Sequence, residues 1–250
     1  MEIIIRADDD ALSDEAFGIL EREVRRKRSL VIGLATGRTP LGLYRRMTAS
    51  AKLFRRARFF NLDEFLGAGP EDPISFHRYL HEHLLGPLET PARNVFLLRG
   101  DVRDPERASA AYEKVIRAVG GIDFQILGVG RNGHIGFNEP GSSLGSRTRP
   151  KTLEEETRAS FAGLDVPRFS ITMGIGTILE ARRVLLLASG PEKAEIVRRL
   201  VEGPVTAEVP GSALQFHPRA TAVLEEAAAA SLARKEYWRW VAENKWRVGQ

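Results

Sequence analysis

Short, uninterrupted apolar runs separated by helical patterns constrain this chain most. Ser29–Ala35 (SLVIGLA) and Val184–Ala188 (VLLLA) show no polar alternation, and Ile122–Leu127 (IDFQIL), apolar apart from Asp123 and Gln125, is read as a strand of the same buried kind. Runs of that length and character belong to strands covered on both faces, as in a parallel sheet. Between such runs the apolar residues recur at helical spacing, as at Ala16, Phe17, Leu20 and Val24 or at Ala111, Val115, Ile116 and Val119. Strand and helix alternating along the chain predicts an α/β fold: one doubly wound, mostly parallel sheet with helices on both faces, Rossmann-like in arrangement. Glu2–Arg6, Ala57–Leu62, Asn94–Leu98, Phe169–Gly174 and Thr221–Leu224 supply further strands. Ser13 is the expected N-cap of a first helix through Arg26. Pro73–Leu85 and Glu225–Trp246 are expected helices, the latter with Trp238 and Trp240 as packing or interface residues. No repeat or linker divides the 250 residues, so residues 1–250 are read as one domain. Pro150–Ala162, polar and acidic, is expected as a surface segment, part of a flap near 150–175.

Composition narrows the function classes. There is no cysteine, which excludes disulfide and thiolate chemistry. His77 and His81 stand at i, i+4, but no metalloprotease-like Glu pattern accompanies them, and a solvated or interface helix face is the simpler reading. No metal and no organic cofactor are expected. The formal charge of +4 is dispersed rather than gathered into a stripe. That argues against nucleic acid and suits a small anionic substrate. No apolar run approaches a membrane span and Ile3–Ile5 is too short for a signal segment, so a cytoplasmic protein is expected.

Chemistry concentrates where strands end. After Ile122–Leu127 comes a loop with Gly128, Gly130, Gly133 and Gly136, carrying Asn132, His134, Asn138 and Glu139. Glycine at this density lets backbone approach a ligand, and His134 with Glu139 forms a candidate acid/base pair. After Ser29–Ala35 comes Thr36-Gly37-Arg38-Thr39-Pro40, which suits either an anion cradle at a helix start or a plain helix start. It matches neither the Walker loop nor the dinucleotide fingerprint. Asp63 and Glu64 follow the third strand and could cap a helix or supply a general base. Lys193 lies just after Ser189-Gly190-Pro191, either as an ordinary exposed lysine or as part of the same rim.

Taken together, LATGRTP (34–40), NLDEF (61–65), LGVGRNGHIGFNEPGSSLGSRTR (127–149), Thr157-Arg158, MGIGTIL (173–179), SGPEKA (189–194) and Gln215–Pro218 resemble the glucosamine-6-phosphate deaminase family over almost the whole chain. The wider superfamily includes 6-phosphogluconolactonases, which typically lack the Phe137–Pro140 run; Glu139 favours the deaminase over a lactone hydrolase or a non-catalytic phosphosugar sensor. The resemblance implies conversion of glucosamine 6-phosphate to fructose 6-phosphate and ammonia. It implies that His134, supported by Asn132 and Glu139, opens the sugar ring and that Asp63 moves a proton from C2 to C1. It places Thr36, Gly37, Arg38, Thr39, Arg158 and Lys193 at the phosphate, with Glu64 and Gly130 also contacting substrate. Ser143, Arg149 and Lys151 correspond to an allosteric site in some bacterial members, and members range from monomers to hexamers. The chain departs from the usual pattern at Asn132, where many members have Asp, and at Arg38, where Gly is usual. The resemblance leaves the galactosamine epimer open as substrate.

Overall fold

The computed structural model describes residues 1–161 and 164–248. Its strands in chain order are β1 (Glu2–Arg6), β2 (Val31–Leu34), β3 (Arg58–Asn61), β4 (Asp63–Phe65), β5 (Val95–Phe96), β6 (Phe124–Leu127), β7 (Arg149–Thr152), β8 (Phe169–Thr172), β9 (Val184–Ala188) and β10 (Ala220–Glu225). Seven of them form one parallel sheet in the order β1-β10-β9-β6-β2-β3-β5. The apolar runs are its centre: every residue of β2, β6 and β9 is buried.

The chain turns in opposite directions after β2 and β6. From β2 it proceeds to the neighbouring β3, whereas from β6 it leads across to β9 on the other side. The loops that leave the carboxyl ends of these adjacent strands diverge, and the crevice between them is where open parallel sheets bind ligands.

Helices flank this sheet. The first, α1 (Asp9–Arg26), buries Leu12, Ala16, Ile19, Leu20 and Val24 on one stripe. Its N-cap is Asp8, whose carboxylate accepts from the Ala11 N–H at 2.8 Å. Ser13, the expected cap, instead lies within the helix. Its hydroxyl packs against α2 (Leu41–Ala49) where Gly42 leaves no Cβ; one there would stand 2.1 Å from Ser13 Oγ. Further helices in chain order are α3 (Ala51–Phe54), α4 (Phe76–Leu80), α5 (Pro105–Ala118), α6 (Glu155–Ala159), α7 (Ile175–Leu179), α8 (Ala194–Glu202) and α9 (Lys235–Val248). The last begins ten residues later than the alanine content suggests. Ala228, Ala229 and Leu232 are drawn into the core as consecutive turns, and Glu226 pairs with Lys235 and Arg239 across the bend. Trp238 packs there and donates to Glu202 at 3.0 Å, while Trp240 is exposed.

A second, antiparallel sheet, β4-β8-β7, stands beside the carboxyl rim of the first. The stretch expected only as a polar surface segment supplies its outer strand β7 and then α6; Ala162 and Gly163, inside the expected flap, lie outside the described residues. Beneath it Phe65, Phe76, Phe137 and Phe161 form a separate aromatic cluster with Leu153 and Val166. From β3 the chain steps to β4 through one residue, Leu62. Its N–H donates to Leu34 O in the large sheet, and its carbonyl accepts from Met173 N, just past the small one.

Candidate active site

The chain that leaves β3 passes through Leu62 and immediately becomes β4, so Asp63 stands at the step between the two sheets. The residue is 5% exposed, and no described residue hydrogen-bonds its carboxyl. Burial, and then the neighbouring Glu64 carboxylate, push its pKa well above the ordinary carboxylate value. Gly136 of the β6 loop keeps the approach open. Its φ is 54°, and a Cβ there would lie 3.0 Å from Thr172 Oγ1 and 3.4 Å from Asp63 Oδ2.

Glu64 points the other way. It is 1% exposed and accepts from Phe65 N, Phe76 N, His77 N and Ser75 Oγ at 2.7–3.0 Å. It therefore ties β4 to the start of α4, with Ser75 as N-cap, and it does not line the cavity, whereas the resemblance implied a substrate contact. Of the two open roles for the acid pair, the structure gives capping to Glu64 and leaves Asp63 free.

The β6 loop folds back so that the His134 ring lies over Gly130, where a Cβ would come within 2.2 Å of the imidazole. Asn132 Oδ1 lies 2.8 Å from His134 Nδ1 and accepts from the His134 N–H at 3.2 Å. The Asn132 amide nitrogen donates to Glu139 Oε2 and to Glu154 Oε2, each at 2.8 Å. Glu139, 2% exposed at its side chain, stands 3.5 Å from the imidazole. Burial alone raises its pKa, but His134, Asn132 and Thr157 around it outweigh that and bring it below the usual value, so it is an anion at neutral pH. Thr157 Oγ1, from α6, reaches His134 Nδ1 at 3.4 Å.

On the opposite side, residues 36–39 follow β2 and lead into α2. Thr39 Oγ1 lies 3.3 Å from Ser189 Oγ, which brings the turn after β2 against the turn after β9. Tyr79 O–H donates to Gly37 O, and the Gly190 N–H donates to Glu225 Oε2. Lys193 comes up behind. Burial first, and then Arg131 and Arg38, lower its pKa; a bound anion relieves that repulsion. Arg38 stands at the mouth, 94% exposed at its side chain and 3.8 Å from Glu192. Its Cβ is tolerated because the side chain points out.

One cavity of about 710 Å³ is lined by Thr36–Thr39, Asp63, Gly130, Asn132, His134 and Lys193, together with Arg131, Thr157, Ser189 and Glu156, with Glu139 buried behind His134 and Asn132. The structure thus brings together residues that are far apart in the chain. Glu64 and Arg158 are exceptions. The Arg158 guanidinium is held by Glu155 and the Val166 carbonyl, and neither residue lines the cavity. Ser143, Arg149 and Lys151 are outside it as well; Arg149 bonds Asn138 Oδ1 at 2.9 Å and the Arg147 carbonyl. Arg131, Glu154, Thr157 and Ser189 were not singled out as site residues. Arg131 and Ser189 adjoin loop residues that were, which was the available signal; Glu154 is one of three consecutive glutamates and looks like any solvated acid. Among the described residues no group of His, Asp and Glu is placed to hold a metal ion, and no helix is long and apolar enough to cross a membrane.

The chain is similar to known proteins. A family model described as glucosamine-6-phosphate isomerases/6-phosphogluconolactonase matches residues 8–224. A glucosamine-6-phosphate deaminase of Shewanella loihica (strain ATCC BAA-1088 / PV-4) is 46% identical, covering 98% of this chain and 95% of its own. One from Rhodopirellula baltica is 45% identical, covering 94% and 97%. A solved monomeric glucosamine-6-phosphate deaminase superposes with a TM-score of 0.89 at 39% identity, over 92% of this chain and 100% of the other. The 6-phosphogluconolactonase of Trypanosoma cruzi shares the fold, with a TM-score of 0.78 at 24% identity over 93% and 97%. With a matching model over most of its length and relatives this similar, the chain belongs to the glucosamine-6-phosphate isomerase/6-phosphogluconolactonase family.

Proposed function

We propose that this protein is a glucosamine-6-phosphate deaminase, converting glucosamine 6-phosphate and water to fructose 6-phosphate and ammonia. The observation that carries the reading is Asp63: a buried carboxylate with no hydrogen-bond partner among the described residues, opening on the same cavity as an imidazole and a cationic rim. A proton on carbon next to a carbonyl is weakly acidic. A base for it gains from desolvation, which makes the carboxylate more basic than in water.

The phosphate sits among Thr36–Thr39, Ser189 and Lys193, with Arg38 and Arg131 adding positive potential. Binding there orients a sugar whose reacting carbons are several bonds away. His134 transfers the proton of the anomeric hydroxyl to the ring oxygen, opening the ring, and Glu139 stabilises the imidazolium that forms in between. Asp63 then removes the C2 proton of the open-chain aldehyde and returns it to C1. The product of that shift is a 2-imine, and water hydrolyses it to the ketose with release of ammonia. No step calls on a metal or an organic cofactor. The cavity draws on residues from Asp9 to Glu225, which supports the whole chain acting as one catalytic domain.

The direct test is ammonia release from glucosamine 6-phosphate, with galactosamine 6-phosphate and 6-phosphogluconolactone as parallel substrates. Ammonia from the gluco substrate is expected. Lactone hydrolysis without ammonia release overturns the reading. An arm with added N-acetylglucosamine 6-phosphate examines activation.

A further inference from the structure

The amide of Asn132 has more work than supporting one imidazole. Both of its N–H groups end on carboxylates, Glu139 Oε2 and Glu154 Oε2. Rotating the amide by a half turn places its carbonyl oxygen against two anions and its N–H groups against the His134 backbone N–H. The orientation is therefore fixed, with Oδ1 facing the ring. An acceptor facing Nδ1 selects the tautomer that carries its proton on Nδ1. That leaves the lone pair on Nε2, which no described residue bonds, for the sugar.

Glu154 has a second peculiarity. It occupies the N-cap position of α6, yet its side chain makes no capping bond. Its carboxylate is committed to Asn132 instead, and its N–H approaches Glu139 Oε1 at 3.4 Å. One turn later Thr157 touches His134 Nδ1, and Glu156 lines the cavity. Contact with Asn132 thus ties α6 to the β6 loop.

We infer that Glu154 is a positioning residue for His134, acting through Asn132, and that the two form a matched pair: an amide at 132 belongs with a carboxylate at 154. The chemistry explains why Asn replaces Asp in this chain. An aspartate at 132 brings a third anion within contact of Glu139 and Glu154, where like charges repel and a donor is missing. For the rate measurements the inference rests on the deaminase reading; for the imidazole itself it does not.

The test is the 15N spectrum of the histidine rings in the free protein, at a pH where they are neutral, together with turnover of the same variants. His134 is assigned by the signal lost in His134→Gln. His217 serves as internal reference, because its Nδ1 accepts from the Arg219 N–H and its Nε2 faces the Ala181 carbonyl, the opposite tautomer. The wild type shows Nδ1–H at His134. Glu154→Ala moves those nitrogens toward a mixed tautomer and lowers kcat by roughly three- to tenfold, while Glu154→Gln, which keeps an acceptor oxygen, stays near wild type. Asn132→Asp loses about 30-fold or more, and adding Glu154→Gln restores about tenfold of that, since the new amide donates to the new acid. An unmoved His134 spectrum in Glu154→Ala overturns the inference, as does a double variant that loses the product of the two single effects. A wild type that gives the expected spectrum but no ammonia leaves the pair standing and removes the deaminase reading.

Discussion

The two sheets of this molecule are built on opposite terms. The seven-stranded sheet is mostly apolar at its centre, with β2, β6 and β9 buried along their whole length. The β4-β8-β7 sheet is short and largely polar, held by an aromatic cluster of its own and by ties such as Glu113, which accepts from Thr148, Thr177 and Arg147. The first supplies rigid strand ends and positions an anion site at its rim. The second supplies a wall and, at its first residue, the carboxylate proposed as the base. The proposed chemistry falls at the step between them, where Asp63 leaves water yet opens on the cavity without a hydrogen-bond partner among the described residues. A base with a raised pKa is thus a consequence of where the chain crosses from one sheet to the other.

The comparison is broken most severely at Asp63. Asp63→Asn lowers kcat by about 10²–10⁴-fold, the range for loss of a general base, with KM little changed in steady-state assays. The same change stabilises the protein. A carboxyl whose folded pKa is raised contributes stability that is complete below its unfolded pKa and is lost as pH rises through the folded one. Removing the charge therefore gains about 1–2 kcal/mol at neutral to alkaline pH. Denaturant titrations should show that gain fading on acidification to the ordinary carboxylate range.

Next comes the anion rim. Lys193→Ala raises KM for the phosphosugar by about ten- to 100-fold, the loss of one charge-assisted contact. Arg158→Ala changes it by less than about threefold, since its partners Glu155 and the Val166 carbonyl lie outside the cavity and an exposed pair of that kind contributes little. Equal effects of the two would mean that Arg158 leaves its present partners when substrate binds.

The smallest effect on rate is expected at Glu64. A glutamine there sets an N–H₂ against groups that already donate, and stability falls by about 1–3 kcal/mol in chemical denaturation. The activity survives, but its acid limb moves. The wild-type kcat/KM falls as pH drops through the Asp63 pKa, which burial and then Glu64 hold above the usual carboxylate range. Removing the Glu64 charge shifts that limb to lower pH.

The large sheet was legible in the sequence because strands buried on both faces are written as unbroken apolar runs, and VLLLA at 184–188 admits few other readings. The crevice followed, since glycines, His134 and Asp63 fell after such runs. Of the small sheet only β8 was legible, as the strand expected over Phe169–Gly174, and its two partners were not. Its strand β7 reads Arg-Pro-Lys-Thr and β4 is three residues long, so neither carries a period that separates strand from loop. Asp63 and Glu64 look equivalent side by side; only the alternation of a strand sends one to the cavity and the other to the α4 N-terminus. Ser13 satisfied every local rule for a cap and lost to Asp8, whose better-placed carboxylate starts the helix earlier. Glu154 carried no signal at all, because its meaning depends on Asn132, which is distant in sequence and adjacent in space.

The central claim is that Asp63 moves a proton between C1 and C2 of a bound phosphosugar. Exchange of a C1 hydrogen of fructose 6-phosphate with solvent, followed by proton NMR in D₂O, reads that step without the ring-opening of the amino sugar. The account predicts exchange of one C1 hydrogen catalysed by the wild type when ammonia is present, and none by Asp63→Asn that still binds the sugar. Exchange at an undiminished rate in that variant would contradict it.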